Sequence, residues 1–382
     1  HYNMVSMMQE KNAYPRNVSL TMPRSWNECN TEQLELISRI MLEQIERVDR
    51  YHPFDMRNVK IACFFVLSEI EIVEAPDESL PIDEQCYMCR FSSSGKGKAK
   101  RSWLSKHQSQ RHRNDPFPLY LWQLNYWLSP KAKTKAKDSV EYLSSGAGLL
   151  DWLDNNRGSY LTRFPYPTMR LRAKDGSSRI KVRMLRSKVE FEGVAQDMDG
   201  FSWRQYRFAT DLMGQYTSLS NNLLRMQRMG TFTEEQIAKQ ANNVDLARAM
   251  FLATIFNRRI DYIDSNTNMQ VRDFHYDTHQ HNVNAAYFRH FPDHQWQPIL
   301  FWWTGMMQML STRYPHVFKV QKLDRQERPS TPLEIYTATI ATMQKYASLT
   351  EDQVNNQSYS LVLEHLERLS KENEEMEKIR KK

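Results

Sequence analysis

The sequence predicts a mainly α fold: a multi-helix core with a small β-hairpin or β insertion in the middle of the chain. Three observations carry this. Only 11 of the 382 residues are glycine, too few to punctuate an all-β chain with hairpins. Methionine occurs 20 times and, with the plentiful Leu, Glu and Gln, belongs among the strong helix formers. Apolar residues recur at helical spacing near both ends of the chain. The 40% hydrophobic and 12% aromatic content is enough for one large core or two ordinary ones.

Segment 1–80 reads as a helical pair. Asn30 stands at a cap position with Gln33 three residues on, and Leu34, Ile37, Ile40, Met41, Ile45 and Val48 then keep a helical spacing. After the break at Pro53, Val59 to Val73 is apolar nearly all round, which predicts a second helix packed inside and antiparallel to the first. Segment 81–200 is basic and aromatic-rich, with a small β element. Gln85 to Phe91 reads as a short strand, 92–115 as a basic loop, Pro116 to Leu128 as an aromatic anchor and Lys131 to Lys137 as a solvated run. Thr168 to Ala173 and Ile180 to Leu185 partly alternate apolar and basic residues about Asp175-Gly176, the pattern of a hairpin.

Segment 201–350 is expected as a helical core, and the carboxy-terminal half as almost entirely helical. Capping-box spacing recurs at Ser202 with Gln205, Thr233 with Gln236 and Thr350 with Gln353. The most apolar run, Ile299 to Leu310, is too short to cross a bilayer, which needs roughly 20 residues, so it predicts a buried core helix and no membrane partner. Segment 351–382 reads as a polar helix. In it Val362, Leu366, Leu369, Asn373 and Met376 keep a 4-3-4-3 spacing, with Asn373 where a dimeric coiled coil tolerates one polar residue. That stripe is either a homo-oligomer seam or an amphipathic face docked on its own domain.

Four cysteines in so long a chain cannot build a disulfide framework, and the opening residues contain no apolar core of signal-peptide length. A reducing, intracellular setting is expected. The net charge of +7 is unevenly placed: 22 lysines and arginines lie between Arg90 and Lys188, where acids are few, and the rest of the chain is net negative. Such asymmetry points to an anionic partner or to an acidic surface of the protein's own assembly. Lys96, Lys98, Lys100, Arg101, Lys106, Arg111 and Arg113 are interleaved with Trp103 and followed by Tyr120, Trp122, Tyr126 and Trp127. Cations could hold nucleic-acid phosphates while the rings stack on bases, although Leu119, Leu121, Leu124 and Leu128 make the last four aromatics better suited to a core.

Cys86 and Cys89, with His107 and His112, supply the residue types of a tetrahedral zinc site. Their spacing is loose, because 17 residues separate Cys89 from His107 where about 12 to 15 is usual. In a strand, Cys86 and Cys89 would instead point to opposite faces. His275, His279, His281, His290 and His294, with Asp273, Asp277 and Asp293, are dense in donors but follow no metalloprotease pattern. Ser94-Gly-Lys-Gly-Lys98 lacks the leading glycine and the trailing Ser or Thr of a phosphate loop. No nucleophile elbow, dinucleotide fingerprint or kinase motif occurs, so a non-enzymatic protein without a cofactor is expected.

The order of segments resembles a family of uncharacterised proteins encoded in tail gene clusters of tailed bacteriophages and prophages. The resemblance begins with Met22-Pro-Arg-Ser-Trp-Asn27 leading into Thr31-Glu-Gln-Leu34, and continues through Gly148-Leu-Leu-Asp-Trp-Leu153 and Ser202-Trp-Arg-Gln-Tyr-Arg-Phe208. It resumes at Phe301-Trp-Trp303 and Arg313-Tyr-Pro-His-Val-Phe318. What it implies is a structural subunit, adaptor or assembly chaperone of a tail-like particle, working in the cytoplasm of a bacterial host or in the virion, with other subunits of that assembly as partners. On this expectation the basic segment, above all Arg101, Lys106 and Arg113, and the final helix are contact surfaces. The alternative is a nucleic-acid-binding protein that uses 90–188, with or without zinc at the Cys86 cluster.

Overall fold

Side-chain caps at Asn30, Ser202, Thr233 and Thr350 start four helices where the sequence places them. The computed structural model describes residues 2–5, 17–20, 22–48, 53–81, 83–91, 116–128, 150–154, 160–172, 188–319 and 332–380. The chain divides into two compact units, His1–Leu161 and Thr162–Lys382, so the boundary falls inside the 81–200 segment.

In the first unit β1 (Tyr2–Val5) and β2 (Asn17–Leu20) pair antiparallel, Tyr2 opposite Leu20. Helix α1 (Thr31–Glu46) opens with the full capping box: Gln33 N donates to Asn30 Oδ1 at 2.8 Å, and Asn30 N to Gln33 Oε1 at 2.9 Å. It buries Leu34 and Ile37, whereas Ile45 and Val48 at the far end of the same spacing are exposed. Helix α2 (Met56–Leu67), capped by Asp55, packs on α1 and buries Val59, Cys63, Phe64 and Phe65. The expected helix through Val73 ends early. Glu69 takes a left-handed φ of 56°, and Ile70–Glu74 becomes strand β3, because β-branched Ile70, Ile72 and Val73 fit a pleated, half-exposed surface better than a helix.

Strand β3 pairs antiparallel with β4 (Cys86–Phe91), and β4 with β5 (Phe117–Tyr120), in the order β3-β4-β5. Helix α3 (Leu121–Leu128) packs on α2 and buries Leu124 and Leu128, while Trp122 is exposed. Lys60, 4% exposed on α2, is ion-paired to Asp154 at 2.7 Å and to Asp151 at 3.7 Å. These carboxylates sit on a short 3-10 turn, Asp151–Asp154, whose Trp152 meets Trp26 edge-on at 5.0 Å. A buried ammonium with two carboxylates is paired well enough to be tolerated.

In the second unit β6 (Thr168–Leu171) pairs with β7 (Val189–Glu192), Met169 opposite Phe191. The expected partner of β6, 180–185, lies outside the described residues. The chain leaves β7 through Gly193, where a methyl group would collide with the Phe164 ring and the Tyr166 carbonyl. Helices α4 (Trp203–Met229) and α5 (Glu234–Ile255) form a long hairpin, closed by Gly230 at a left-handed φ of 63° and by the Thr233–Gln236 capping box. Strands β8 (Asn257–Ile263) and β9 (Gln270–Phe274) follow, giving the sheet order β6-β7-β8-β9.

These strands correct two expectations. The carboxy-terminal half is not almost entirely helical, and the β content is not one small insertion but antiparallel sheets of three and four strands besides the β1–β2 pair. The signal was a period of two at 259–262, where Arg259 and Asp261 alternate with Ile260 and Tyr262. The mainly helical class stands.

The remaining helices are α6 (His281–Ala285), α7 (Asp293–Arg313), α8 (Pro332–Ala347), α9 (Glu351–Asn356) and α10 (Tyr359–Arg380). As its apolar run predicts, α7 is a core helix, burying Trp296, Ile299, Trp302, Trp303, Met306 and Leu310. Its rings meet those of neighbouring elements edge-on: Trp302 with Phe164 at 4.7 Å, and Trp296 and Trp303 with Phe251 at 5.7 and 5.2 Å. The start of α4 lies against the start of α10. Trp203 N donates to Gln357 O at 2.7 Å, Tyr359 N to Phe201 O at 3.0 Å, and Tyr206 stacks on both Trp203 and Tyr359. The Arg207 guanidinium lies 3.7 Å from the Tyr336 ring centroid, fastening α8 to α4. Among the described residues no helix is long and apolar enough to cross a membrane.

Candidate interaction surfaces

The α4–α5 hairpin is clamped at one end and open at the other. At the clamp, Asp245 on α5 is 7% exposed and accepts from Arg248 Nη2 at 2.9 Å, Arg289 Nε at 2.7 Å and His290 N at 2.9 Å. Arg248 also reaches Asp293 at 2.5 Å, and Arg289 reaches Asn242. Burial alone would raise the Asp245 carboxyl, but the Arg248 hydrogen bond and charge, the His290 N–H and Arg289 outweigh it and hold it below its ordinary range. Nearby, Gln205 turns inward instead of completing its capping box: its Nε2 donates to Thr254 O at 2.7 Å and Asn257 Oδ1 at 3.2 Å. Trp296 Nε1 donates to Tyr216 Oη at 2.8 Å, the outermost of these ties along α4.

Beyond Tyr216 the hairpin is an arm. Between Met213 and Gln240 only Met226 is buried, and Gln240 Nε2 ties the two helices by donating to Leu219 O at 3.0 Å. Met229 is 52% and Phe232 37% exposed at the tip, beside Arg225 and Arg228. A cleft of about 360 Å³ opens between the helices here, lined by Asn222, Met226, Phe232, Gln236 and Lys239. The β8–β9 hairpin is a second projection, since β7 pairs with it only at Asn257 and Arg258. Its tip presents Ile263 and Met269, 68% and 65% exposed. The turn between them is set by Asp264, which accepts from Asn266 N and Thr267 Oγ1, and by Asn268 at a left-handed φ of 52°.

A third surface is α10. Its anchor is Glu367, which accepts from His316 N at 3.0 Å and Val317 N at 2.9 Å and lies 2.5 Å from His316 Nδ1. Burial pulls the Glu367 carboxyl up, but the His316 and Val317 hydrogen bonds outweigh it and lower it from the ordinary 4.5. A carboxyl with a lowered value stabilises the fold above its ordinary titration range, and that contribution is lost as the pH falls through the lowered value. Glu367→Gln is therefore expected to cost about 1–3 kcal/mol near neutrality and much less in acid, where the wild-type carboxyl is already protonated. Urea unfolding at the two conditions checks this; an equal cost at both would remove Glu367 from the acid response.

Lys96, Lys98, Lys100, Arg101, Lys106, Arg111 and Arg113, together with His107 and His112, lie outside the described residues. Cys86 and Cys89 lie on β4 three residues apart, so they point to opposite faces. Burial pushes the Cys89 thiol up to about 12, which opposes the thiolate that a metal ligand requires. The His- and Asp-rich stretch does not converge. His275 pairs with Asp273 at 3.2 Å, His281 lies 3.3 Å from Tyr276 Oη, and His290 lies beside Asp245. Burial lowers His281 and pushes Tyr276 up to about 12. Among the described residues no group of three or more His, Cys, Asp or Glu could hold a metal ion.

The α10 stripe is divided: Val362 is buried in its own unit, Leu366 and Leu369 are half-buried, and Asn373 and Met376 are exposed. Sequence reasoning missed Asp245, Arg248, Arg289 and the Glu367–His316 pair. Asp245 and Arg248 are three residues apart on one helix, but Arg289 comes to Asp245 from 44 residues away and His316 to Glu367 from 51, and no local pattern marks those contacts. No family model, curated protein or solved structure matches the chain.

Proposed function

We propose that this chain is a non-enzymatic structural or assembly protein of a phage-tail-like particle, acting in the bacterial host or the virion through contacts with other protein subunits. The observation that carries the reading is the α4–α5 arm: a long helical hairpin, clamped at its base by buried ion pairs, whose tip leaves Met229 and Phe232 in solvent. A rigid element that exposes apolar side chains at its end is built to insert them into a partner. The kind of particle rests on the family resemblance of the sequence.

The test is expression together with the other products of its gene cluster. The wild-type chain is expected to enter a large complex that persists in high salt, because apolar contacts are less sensitive to screening than phosphate contacts. Met229→Glu combined with Phe232→Glu is expected to leave the chain folded, with an unchanged melting temperature, but outside the complex. A wild-type chain that stays out of every complex and instead retains nucleic acid, released as the salt rises, would overturn the proposal in favour of a nucleic-acid-binding protein.

A further inference from the structure

The cleft near the end of the α4–α5 arm is more than an apolar gap. It runs from Met226 and Phe232 at the tip toward Asn243 nearer the base, between two helices that Gln240 holds together. Asn222 on α4 and Asn243 on α5 bring side-chain amides to it from both walls, and among the described residues neither amide has a hydrogen-bond partner. Gln236 gives its Oε1 to the Thr233 N–H at 3.0 Å and keeps its own amide N–H groups free. Lys239 lines the cleft, and Arg225 follows Asn222 by one turn on the same side of α4. No acid lines the cleft, and among the described residues neither cation has an ion-pair partner; Glu235, one turn before Lys239, does not reach it.

These groups select among occupants. A helix has satisfied its own backbone, so bare amides offer it little, and at about 10–12 Å across it would rest outside a cleft of about 360 Å³. An extended peptide brings unpaired N–H and C=O groups, and each Asn amide supplies both a donor and an acceptor for them. Met226 and Phe232 give an apolar side chain a place out of water, and the unpaired cations favour a carboxylate next to it. We propose that the cleft binds an extended, acidic peptide segment of another subunit. One apolar side chain lies against Met226 and Phe232, backbone groups meet Asn222 and Asn243, and a carboxylate meets Lys239. This contact deepens the assembly reading by naming what the arm holds, and rests on that reading only for the peptide's belonging to another subunit.

A library of random octapeptides selected on the full chain is expected to yield sequences that combine an acid with a large apolar residue. An enriched peptide is expected to bind one site per chain by fluorescence anisotropy and to accept a proline, which breaks a helix. Lys239→Glu is expected to weaken that peptide about tenfold or more, and Asn222→Ala with Asn243→Ala to weaken it with the charge unchanged. Neither variant should lower the melting temperature, because none of the three side chains is buried. Selection of no peptide or of peptides without acids, wild-type binding by either variant, or enriched peptides that bind as helices would each overturn the proposal. So would self-association of the full chain that Lys239→Glu abolishes, since a second copy would then fill the cleft. Entry into the complex judges the assembly reading separately. A chain that joins the complex but selects no peptide overturns this proposal alone, and one that binds the acidic peptide but joins no complex overturns that reading and leaves the chemistry of the cleft standing.

Discussion

Asp245→Ala is expected to destabilise the second unit by about 3–5 kcal/mol, the cost of breaking a buried ion pair by removing one partner. The Asp245 side chain is 10% exposed, and Arg248 and Arg289 are each 13% exposed. Without the carboxylate, two guanidinium groups stay away from water with only Asp293, itself 70% exposed, and Asn242 to answer them. Asp245→Asn keeps the shape and some hydrogen bonds and is expected to cost less. The effect should be read as a shift of the urea midpoint followed by tryptophan fluorescence; a cost below about 1 kcal/mol would mean that the clamp behaves as a surface pair. If the arm needs a rigid base to present its tip, Asp245→Ala should also weaken entry into the complex that the tip variants abolish.

Trp296→Ala is expected to cost a similar amount, about 3–5 kcal/mol, for a different reason. Trp296 is 1% exposed, meets Tyr216 and Phe251 edge-on at 5.0 and 5.7 Å, and joins α7 to both helices of the arm. Its removal leaves a cavity that close-packed neighbours cannot fill. Tyr216→Phe, which deletes only the acceptor of the indole N–H, should cost about 1 kcal/mol. The two variants measured by calorimetry separate packing from hydrogen bonding, and equal effects would contradict a role based mainly on ring burial.

Much of the helical architecture was legible because its determinants are local. A cap needs one side chain and the backbone three residues on, so Asn30, Thr233 and Thr350 marked their helices correctly. The same local logic failed at Val59 to Val73, where an apolar run is compatible with helix and with strand, and pairing with β4 decides for strand beyond Ile70. At Ser202 the spacing was right and the outcome partial. Gln205 lies three residues on, but the nearby Thr254 carbonyl takes its side chain, a competitor that no local window contains.

By itself the sequence determined the mainly helical class, the starts of α1, α4, α5 and α9 at their side-chain caps, the burial of much of the Ile299 to Leu310 run and the apolar spacing within α10. Only the tertiary structure decided which stretches of that spacing meet the protein's own core and which remain open. It also decided that Asp245 gathers Arg289 from 44 residues away, and that Glu367 fastens the connection before α8. The physical reason is that propensity and capping act over a few neighbouring residues, whereas burial and ion pairing depend on which distant segments the packed chain brings within a few ångströms.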